Sequence, residues 1–192
     1  MENYKEHEDY YSKLKKYAVF IPIINVSGRD YILFETRSNI VSQPREASFP
    51  GGHVEQGETF KDCAIRELKE ELLLKDCDFE LYGYSSMNLG YSNRVIKSFY
   101  GRINLDIKDI KFNEEVEDIF IISTDFLKNN PPEKYEMEVR VIPPENFPFD
   151  KINNGRKYEF AKGIHDVYFY DTNPVIWGIT AGFLKEFVEN KL

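Results

Sequence analysis

Three glutamates near the middle of the chain have the type and spacing of a cation-binding group. Glu67, Glu70 and Glu71 stand at positions i, i+3 and i+4, so a helix would place them on one face, within an arc of roughly 100°. Carboxylates this close repel one another, and Mg²⁺ or Mn²⁺ removes the repulsion because both ions favour carboxylate oxygens. The spacing therefore predicts a divalent-cation site, although a solvated acidic helix face has the same pattern.

The residues around the cluster favour phosphate chemistry over a solvated acidic face. Arg66 directly precedes the cluster, and Glu58 lies upstream at the entry to the same segment. Gly51-Gly52 and Gly57 give the backbone freedom where a loop must approach a phosphate or a metal ion. Divalent cations at such a site neutralise phosphate charge and lower the pKa of an attacking water.

Apolar residues in the same segment predict the helix that presents these carboxylates. Ile65, Leu68 and Leu72 fall on a separate arc and are expected to pack against a sheet. Thr59 has the position of an N-cap, with an acidic residue three positions later. The predicted helix runs from about Phe60 to Leu73.

The full pattern resembles the Nudix box of the Nudix hydrolases. The matching residues read Gly52-x5-Glu58-x7-Arg66-Glu67-Leu68-x-Glu70-Glu71-x-x-Leu74. One position departs: the family has a glycine, which helps the chain leave the helix, where this chain has Leu73. The resemblance implies a Nudix-type α/β/α sandwich with a mixed sheet, and hydrolysis of a nucleoside diphosphate linked to another group.

The resemblance also implies a role for each matching residue. Glu58 and Arg66 would form an orienting ion pair, and Glu67 is the first choice for the general base, which varies among these enzymes. A further acidic ligand is expected from a later segment, with Glu115 favoured and Glu114 the alternative. The metal ligands would be Gly52 (through its carbonyl), Glu67, Glu70, Glu71 and Glu115.

Two further segments are similar to the coenzyme A diphosphatases within that family. The upstream segment carries Arg37-Ser38 and Phe49-Pro50-Gly51-Gly52, and the C-terminal segment carries Ile176-Trp177-Gly178-Ile179-Thr180-Ala181. The upstream match is imperfect, because Glu35 replaces a threonine, Arg45 replaces a glycine and the spacer is about one residue short. The resemblance as a whole covers roughly residues 17–188.

The subfamily implies hydrolysis of coenzyme A, or a thioester of it, to 3′,5′-ADP and 4′-phosphopantetheine. Arg37 and Arg45 are then expected to bind phosphates in bidentate fashion, unless both are solvated loop charges. Phe49 contacts the substrate or, as its apolar ring favours, packs beneath the loop. The expected substrate-binding residues are Arg37, Ser38, Arg45, Phe49 and Gly51.

Other functions remain open at this stage. ADP-ribose, reduced dinucleotides, dinucleoside polyphosphates and nucleoside triphosphates are alternative substrates for the same box. A non-catalytic nucleotide-sensing Nudix module is the alternative from another class. Such modules usually lose one of the box glutamates, whereas this chain has all four.

Periodicity and breakers predict a mixed α/β (α+β) protein with helices packed on a sheet. Residues 1–16 are assigned to a polar arm or short helix, residues 17–192 to a single domain, and Asn39–Gly52 to a loop. Helices besides the acidic one are expected at Thr124–Lys128 and Pro174–Asn190. Strands are expected at Ala18–Ile24, Tyr31–Thr36, Phe79–Leu89, Val95–Ile103, Val116–Ile122, Glu136–Ile142 and Val167–Tyr170.

Composition limits the partners. The net charge of −8 disfavours binding to DNA or RNA, which needs a basic surface. The longest apolar run, Tyr17 to Ile24, is too short to span a membrane, and the charged first ten residues lack the pattern of a secretory signal. Cys63 and Cys77 are expected to be free thiols. These features predict a cytoplasmic protein with a small-molecule nucleotide substrate, and the tyrosine-rich arm could support a homodimer.

Overall fold

A central mixed sheet organises the computed structural model, which describes residues 13–90 and 93–192. In that part of the chain β1 lies in the middle of the sheet, pairing antiparallel with β2 and β4 and parallel with β6. Strands β3 and β7 both pair with β2, and β5 pairs with β6. The strands are β1 (Lys15–Val26), β2 (Arg29–Arg37), β3 (Ala47–Ser48), β4 (Gly51–His53), β5 (Phe79–Gly90), β6 (Arg94–Ile103) and β7 (Val116–Ser123).

A smaller antiparallel sheet, three helices and four short 3₁₀ turns complete the described residues. The second sheet has the order β10-β9-β8 and consists of β8 (Glu133–Arg140), β9 (Lys162–Tyr170) and β10 (Ile176–Trp177). The α-helices are α1 (Phe60–Glu71), α2 (Thr124–Asn129) and α3 (Gly178–Lys191). The 3₁₀ turns are Asp76–Asp78, Ile107–Asp109, Phe149–Lys151 and Gly155–Lys157.

Helices cover both faces of the central sheet. Because side chains alternate along a strand, Phe20 of β1 faces one side, where it joins a buried cluster with Leu68 and Leu72 of the α1 segment. The neighbouring Ile21 faces the other side and joins a cluster with Phe187 of α3. The predicted sandwich of helices on a mixed sheet is therefore confirmed.

Close packing of β4 on β1 fixes the segment that leads into α1. Gly51 pairs with Val19 and Gly52 pairs with Ala18. A Cβ atom on Gly51 would lie 2.4 Å from the Ala18 carbonyl oxygen, so only glycine allows this approach. Helix α1 then begins at Thr59, whose hydroxyl oxygen accepts a hydrogen bond from the Asp62 N–H, as predicted for an N-cap.

Helix α1 ends in a left-handed residue that is not glycine. Leu72 is the C-cap, and Leu73 follows with φ 49°. The Leu74 N–H then donates to the Lys69 carbonyl oxygen at 3.1 Å, which is the bond of a Schellman motif. The helix therefore stops at Glu71, two residues before the predicted end. Leu73 occupies the conformation that glycine adopts without strain.

Several other predicted boundaries were wrong. The segment Asn39–Gly52, predicted as a loop, contains β3 and the start of β4. Strand β1 begins at Lys15, inside the segment 1–16 assigned to an arm, and residues 1–12 lie outside the described part. The last helix begins at Gly178 and not at Pro174, because Ile176 and Trp177 pair with β9.

Two sequence predictions about membranes and thiols can be compared with the structure. Among residues 13–90 and 93–192, no helix is long and apolar enough to cross a membrane. Cys63 is buried, Cys77 is exposed, and both are free thiols.

Replacing Leu73 with glycine is expected to stabilise the protein. A left-handed conformation costs a side-chain-bearing residue about 1–2 kcal/mol, and glycine returns about 0.4–1 kcal/mol of that through unfolded-state entropy. Because the Leu73 side chain is exposed, little burial is lost. We expect Leu73→Gly to raise the free energy of unfolding by about 0.5–1 kcal/mol, measured by urea denaturation. Leu73→Ala keeps the strain and should give no gain, so equal gains from both variants would contradict this explanation.

Candidate active site

Arg66 connects most of the predicted acidic residues in one ionic network. Its Nε and Nη2 atoms donate to the two carboxylate oxygens of Glu58 at 2.9 and 3.1 Å. Its Nη1 atom donates to Glu67 at 2.8 Å and to Glu70 at 3.0 Å, and Nη2 also reaches the His53 carbonyl oxygen at 3.1 Å. The hydrogen bond from Arg66 holds the pKa of Glu58 below its ordinary value. One guanidinium thus orients three carboxylates and the strand that precedes the helix.

The carboxylate of Glu67 lies against the backbone of Gly52. A Cβ atom on Gly52 would lie 2.1 Å from Glu67 Oε1, so any other residue would displace this carboxylate. Burial raises the pKa of Glu67, and the negative charges of Glu70 and Glu115 add to that effect against the lowering contacts of Arg66. The Gly52 carbonyl oxygen accepts a long hydrogen bond from the Cys63 thiol, at 3.6 Å. The carboxylate of Glu67 therefore lies against Gly52, and the Gly52 carbonyl as a metal ligand stays a prediction.

Glu71 and Glu35 form a second, buried carboxylate pair. Glu71 is 3% exposed and accepts the Gly51 N–H at 2.9 Å. Glu35, on β2, is 1% exposed and accepts the Ser48 hydroxyl at 2.8 Å. Its other oxygen, Oε2, is buried without a hydrogen-bond partner among the described residues. Burial raises the pKa of both groups, and the charge of Glu35 raises that of Glu71 further.

Glu35 is the residue at this site that the sequence prediction missed. In the sequence, the resemblance marks it only as a replacement for threonine in the upstream segment. The available signal is its position directly after Ile32, Leu33 and Phe34, all buried in β2. A charged residue that continues a fully buried run needs a partner or a ligand.

The two predicted phosphate-binding arginines lie at the two ends of one loop: Arg37 ends β2 and Arg45 precedes β3. The Arg45 N–H donates to the Arg37 carbonyl oxygen at 2.8 Å, and Arg45 itself has φ 63°. Arg37 donates from Nε to the Ser42 carbonyl oxygen and lies 4.0 Å from Glu35 Oε1. Arg45, at the position where the resemblance leads us to expect glycine, adopts a left-handed conformation, and its side chain is exposed.

The remaining predicted residues fall into two groups. Ser38 donates its N–H to the Glu115 carbonyl oxygen at 2.9 Å, which brings the arginine loop beside the strand entry that carries Glu115. Glu114 and Glu115 are both exposed, and the charge of Glu115 raises the pKa values of Glu35 and Glu67. Phe49 does not line the site: it is 3% exposed and stacks on Phe34 with ring centroids 4.9 Å apart. Its assignment to substrate binding is corrected to core packing.

These residues fit a hard divalent cation. The donors are carboxylate and carbonyl oxygens, which Mg²⁺ and Mn²⁺ favour. The buried, unpartnered Oε2 atom of Glu35 beside buried Glu71 marks a place where negative charge exceeds the available cations. Among the described residues, no three metal-ligating side chains converge as a preformed cage, because Arg66 draws Glu67 and Glu70 toward itself.

The buried pair predicts an unusual pH dependence in the absence of metal. Because the folded-state pKa values of Glu35 and Glu71 are raised, the folded state binds more protons than the unfolded state above the ordinary glutamate pKa of about 4.3. This contribution to stability is complete at low pH and is lost as pH rises through the folded-state values. We expect the melting temperature in EDTA to fall between about pH 5 and pH 8, and added Mg²⁺ or Mn²⁺ to reverse the fall.

A neutral substitution tests the cause of that fall. Glu35→Gln keeps the shape and removes the charge, so the metal-free protein at about pH 8 should melt about 3 °C higher, as about 1 kcal/mol gives in a domain of this size. Glu117→Gln, at an exposed position on β7, is the matched control and should follow the wild-type curve. A wild-type melting temperature that rises across this pH range would contradict the assignment.

Comparison with known proteins identifies the family. A model of the NUDIX domain family matches residues 14–162. "Nudix hydrolase 3" of Caenorhabditis elegans is 38% identical over 68 residues, covering 35% of this chain and 28% of that protein. The "peroxisomal coenzyme A diphosphatase NUDT7" of Mus musculus is 24% identical over 113 residues, covering 58% of this chain and 48% of that protein. The chain thus spans less than half the length of either curated relative.

A solved structure shows the same fold. The crystal structure of a NUDIX hydrolase from Nitrosomonas europaea superposes with a TM-score of 0.52 at 17% identity, covering 93% of this chain and 72% of that one. At that identity the likeness speaks for the fold alone. Because the family match extends over well more than half of the sequence, the chain belongs to the NUDIX domain family.

Proposed function

We propose that this chain is a metal-dependent pyrophosphohydrolase that acts on a nucleoside diphosphate derivative, with coenzyme A or its thioesters as the substrate. The observation that carries the hydrolase proposal is the arrangement around Arg66. This residue pairs with Glu58 while it holds Glu67 and Glu70 on one helix face, next to a backbone that only glycine permits. A nucleotide-sensing module without catalysis would have no need for the complete set of box glutamates.

Each residue has a definite task in this proposal. Glu67, Glu70 and Glu71, with the Gly52 carbonyl oxygen and Glu115, would hold Mg²⁺ or Mn²⁺. The cation supplies charge neutralisation at the diphosphate and lowers the pKa of the attacking water. Arg66 and Glu58 orient the ligating face of α1.

Glu67 is the candidate general base. Burial raises its pKa, which brings a carboxylate nearer to the pH at which it takes a proton from water efficiently. It lies against the Gly52 backbone and is only 15% exposed, so a proton placed there is shielded from bulk solvent.

Support for coenzyme A comes from a contact between two distant segments. Trp177 Nε1 donates to the Glu46 carboxylate at 2.5 Å, and β10 packs beside β3. The upstream segment and the C-terminal segment, which both resemble the coenzyme A diphosphatases, therefore meet at one place. The mouse relative named for coenzyme A diphosphatase activity supports the same proposal.

Product analysis tests the substrate directly. Incubation with Mg²⁺ or Mn²⁺ and coenzyme A should yield 3′,5′-ADP and 4′-phosphopantetheine by mass spectrometry, faster than ADP-ribose, reduced NAD or diadenosine tetraphosphate is cleaved. Preferential cleavage of one of those compounds would retain the pyrophosphohydrolase and reject coenzyme A. Absence of turnover in folded, metal-loaded protein would reject both.

Removal of one carboxylate should lower the activity without unfolding the protein. Glu70→Gln is expected to lower kcat/KM by at least about 10–100-fold, the range found for groups that orient metal ligands. Because Glu70 is half exposed, its substitution should leave the fold intact by circular dichroism. Glu117→Gln on β7 is the control and should keep full activity, and unchanged turnover in Glu70→Gln would overturn the site assignment.

Arg37 should distinguish coenzyme A from dephospho-coenzyme A. If its guanidinium binds the 3′-phosphate, Arg37→Ala raises the KM for coenzyme A about 10–100-fold, as expected for a hydrogen bond to a charged group, and changes that for dephospho-coenzyme A much less. Arg29→Ala, at the exposed opposite end of β2, serves as the control. An equal rise in KM for both substrates would show that Arg37 does not bind the 3′-phosphate.

A further inference from the structure

An aromatic surface covers the outer face of the small sheet. Phe169 is in register with Trp177 on one side and with Glu133 on the other, so the three side chains form a row across β10, β9 and β8. The Phe169 and Trp177 rings stack with centroids 5.5 Å apart and an interplanar angle of 17°. Tyr135 meets the edge of Phe169 at 5.5 Å. The opposite face, with Ile176, is buried in the core with α3.

A cavity of about 420 Å³ lies over this surface. That volume is within the range of about 300–1,000 Å³ found for small-molecule sites and accommodates a purine ring with its sugar. Aromatic rings of this kind stack on nucleobases. The lining residues are Glu133, Tyr135, Phe169, Tyr170, Asp171 and Val175.

The negative charges at the cavity favour a ligand group that donates hydrogen bonds over a phosphate. Glu133 and Asp171 contribute carboxylates, and none of the lining residues is a lysine or an arginine. The Tyr135 hydroxyl donates to Glu133 Oε2 at 2.6 Å, which leaves the other Glu133 oxygen free to accept. A phosphate is therefore repelled here, whereas a planar ring with an exocyclic amino group both stacks and donates a hydrogen bond.

A short series of contacts links the cavity to the acidic helix. Trp177, stacked on the cavity residue Phe169, donates to Glu46, which directly follows Arg45. Two residues later Ser48 donates to Glu35, the buried neighbour of Glu71. These contacts connect the wall of the cavity, through Trp177 and the segment that carries Arg45, with the buried carboxylates beside α1.

We propose that this cavity binds the adenine ring of the substrate, with stacking on Tyr135 and Phe169 and an amino-group hydrogen bond to Glu133 or Asp171. The assignment rests on the proposed function, since it takes an adenine nucleotide as the substrate class. It adds a base subsite on β8 and β9, outside the Nudix box and the two segments that resemble the coenzyme A diphosphatases.

Intrinsic fluorescence can detect this binding without catalysis. Trp177 is the single tryptophan of the chain and is stacked on a residue that lines the cavity. The full-length protein in EDTA is titrated with adenosine 3′,5′-bisphosphate, AMP and ribose 5-phosphate. The two adenine compounds should change the emission in a saturable manner, and ribose 5-phosphate should not.

Variants locate the effect in the cavity. Tyr135→Leu removes a stacking partner at a half-exposed position, and Asp171→Asn removes an acceptor charge. Tyr135→Leu should weaken adenosine 3′,5′-bisphosphate about tenfold, the order of one base–aromatic stack, and should raise the KM for coenzyme A by a similar factor with kcat retained. Met137→Leu, an exposed position on the same strand outside the cavity, is the matched control.

Each outcome decides the proposal. Equal responses to AMP and ribose 5-phosphate, or unchanged affinity in Tyr135→Leu with native circular dichroism, would overturn it. Emission that changes with protein concentration alone, in parallel with a dimer by sedimentation, would show that a second copy covers this face and would also overturn it. Adenine binding that depends on Tyr135 in a protein that does not cleave coenzyme A would retain the cavity and reject the proposed reaction. Cleavage of coenzyme A at the same KM in wild type and Tyr135→Leu would retain the proposed reaction and reject the cavity as the adenine site.

Discussion

The architecture of the site depends on an imbalance of charge, because the single guanidinium of Arg66 pairs with three carboxylates. Arg66 donates to Glu58, Glu67 and Glu70. The cation beside the buried pair of Glu35 and Glu71 is Arg37, whose guanidinium lies 4.0 Å from Glu35. The absence of a Cβ at Gly52 and the tight pairing of β4 on β1 both bring the backbone close to these carboxylates. The protein thus concentrates negative charge where the sheet and the helix meet.

Such an imbalance links ligand binding to folding. Buried carboxylates without counter-charges are costly, so a divalent cation that binds only the folded state stabilises it by mass action. Arg66 and a bound cation would compete for the same oxygens of Glu67 and Glu70. Cation binding would then require Arg66 to release these oxygens, while its hydrogen bonds to Glu58 would hold the guanidinium in place.

Local sequence signals predicted the parts of the fold that local physics determines. The acidic face of α1, its N-cap at Thr59 and the long strands follow from periodicity and capping, and most of them were located within a few residues. Strands β3 and β10 have two residues each, too few for a periodic signal, and form only because β2 and β9 offer them edges. The pairing of Glu35 with Glu71 and the contact of Trp177 with Glu46 join residues distant in sequence, which no local window contains. The resemblance predicts glycine at the positions of Leu73 and Arg45, and both residues have positive φ. The left-handed backbone conformation that favours glycine is therefore present at both positions, although neither residue is a glycine.

The position of β1 in the sheet has a consequence for the order in which the protein is assembled. Its parallel partner β6 pairs Ala18 with Lys97, so the intervening chain, including all of α1, must be enclosed as a long crossover before the centre of the sheet is complete. Helix α1 packs its Leu68 against a cluster that includes Phe99 and Ile103 of β6. During synthesis, which proceeds from the N-terminus, the acidic segment therefore leaves the ribosome well before the strand that completes its support. Closure of this long loop is entropically slow, and the nascent chain carries its cluster of carboxylates exposed to solvent until that step is finished.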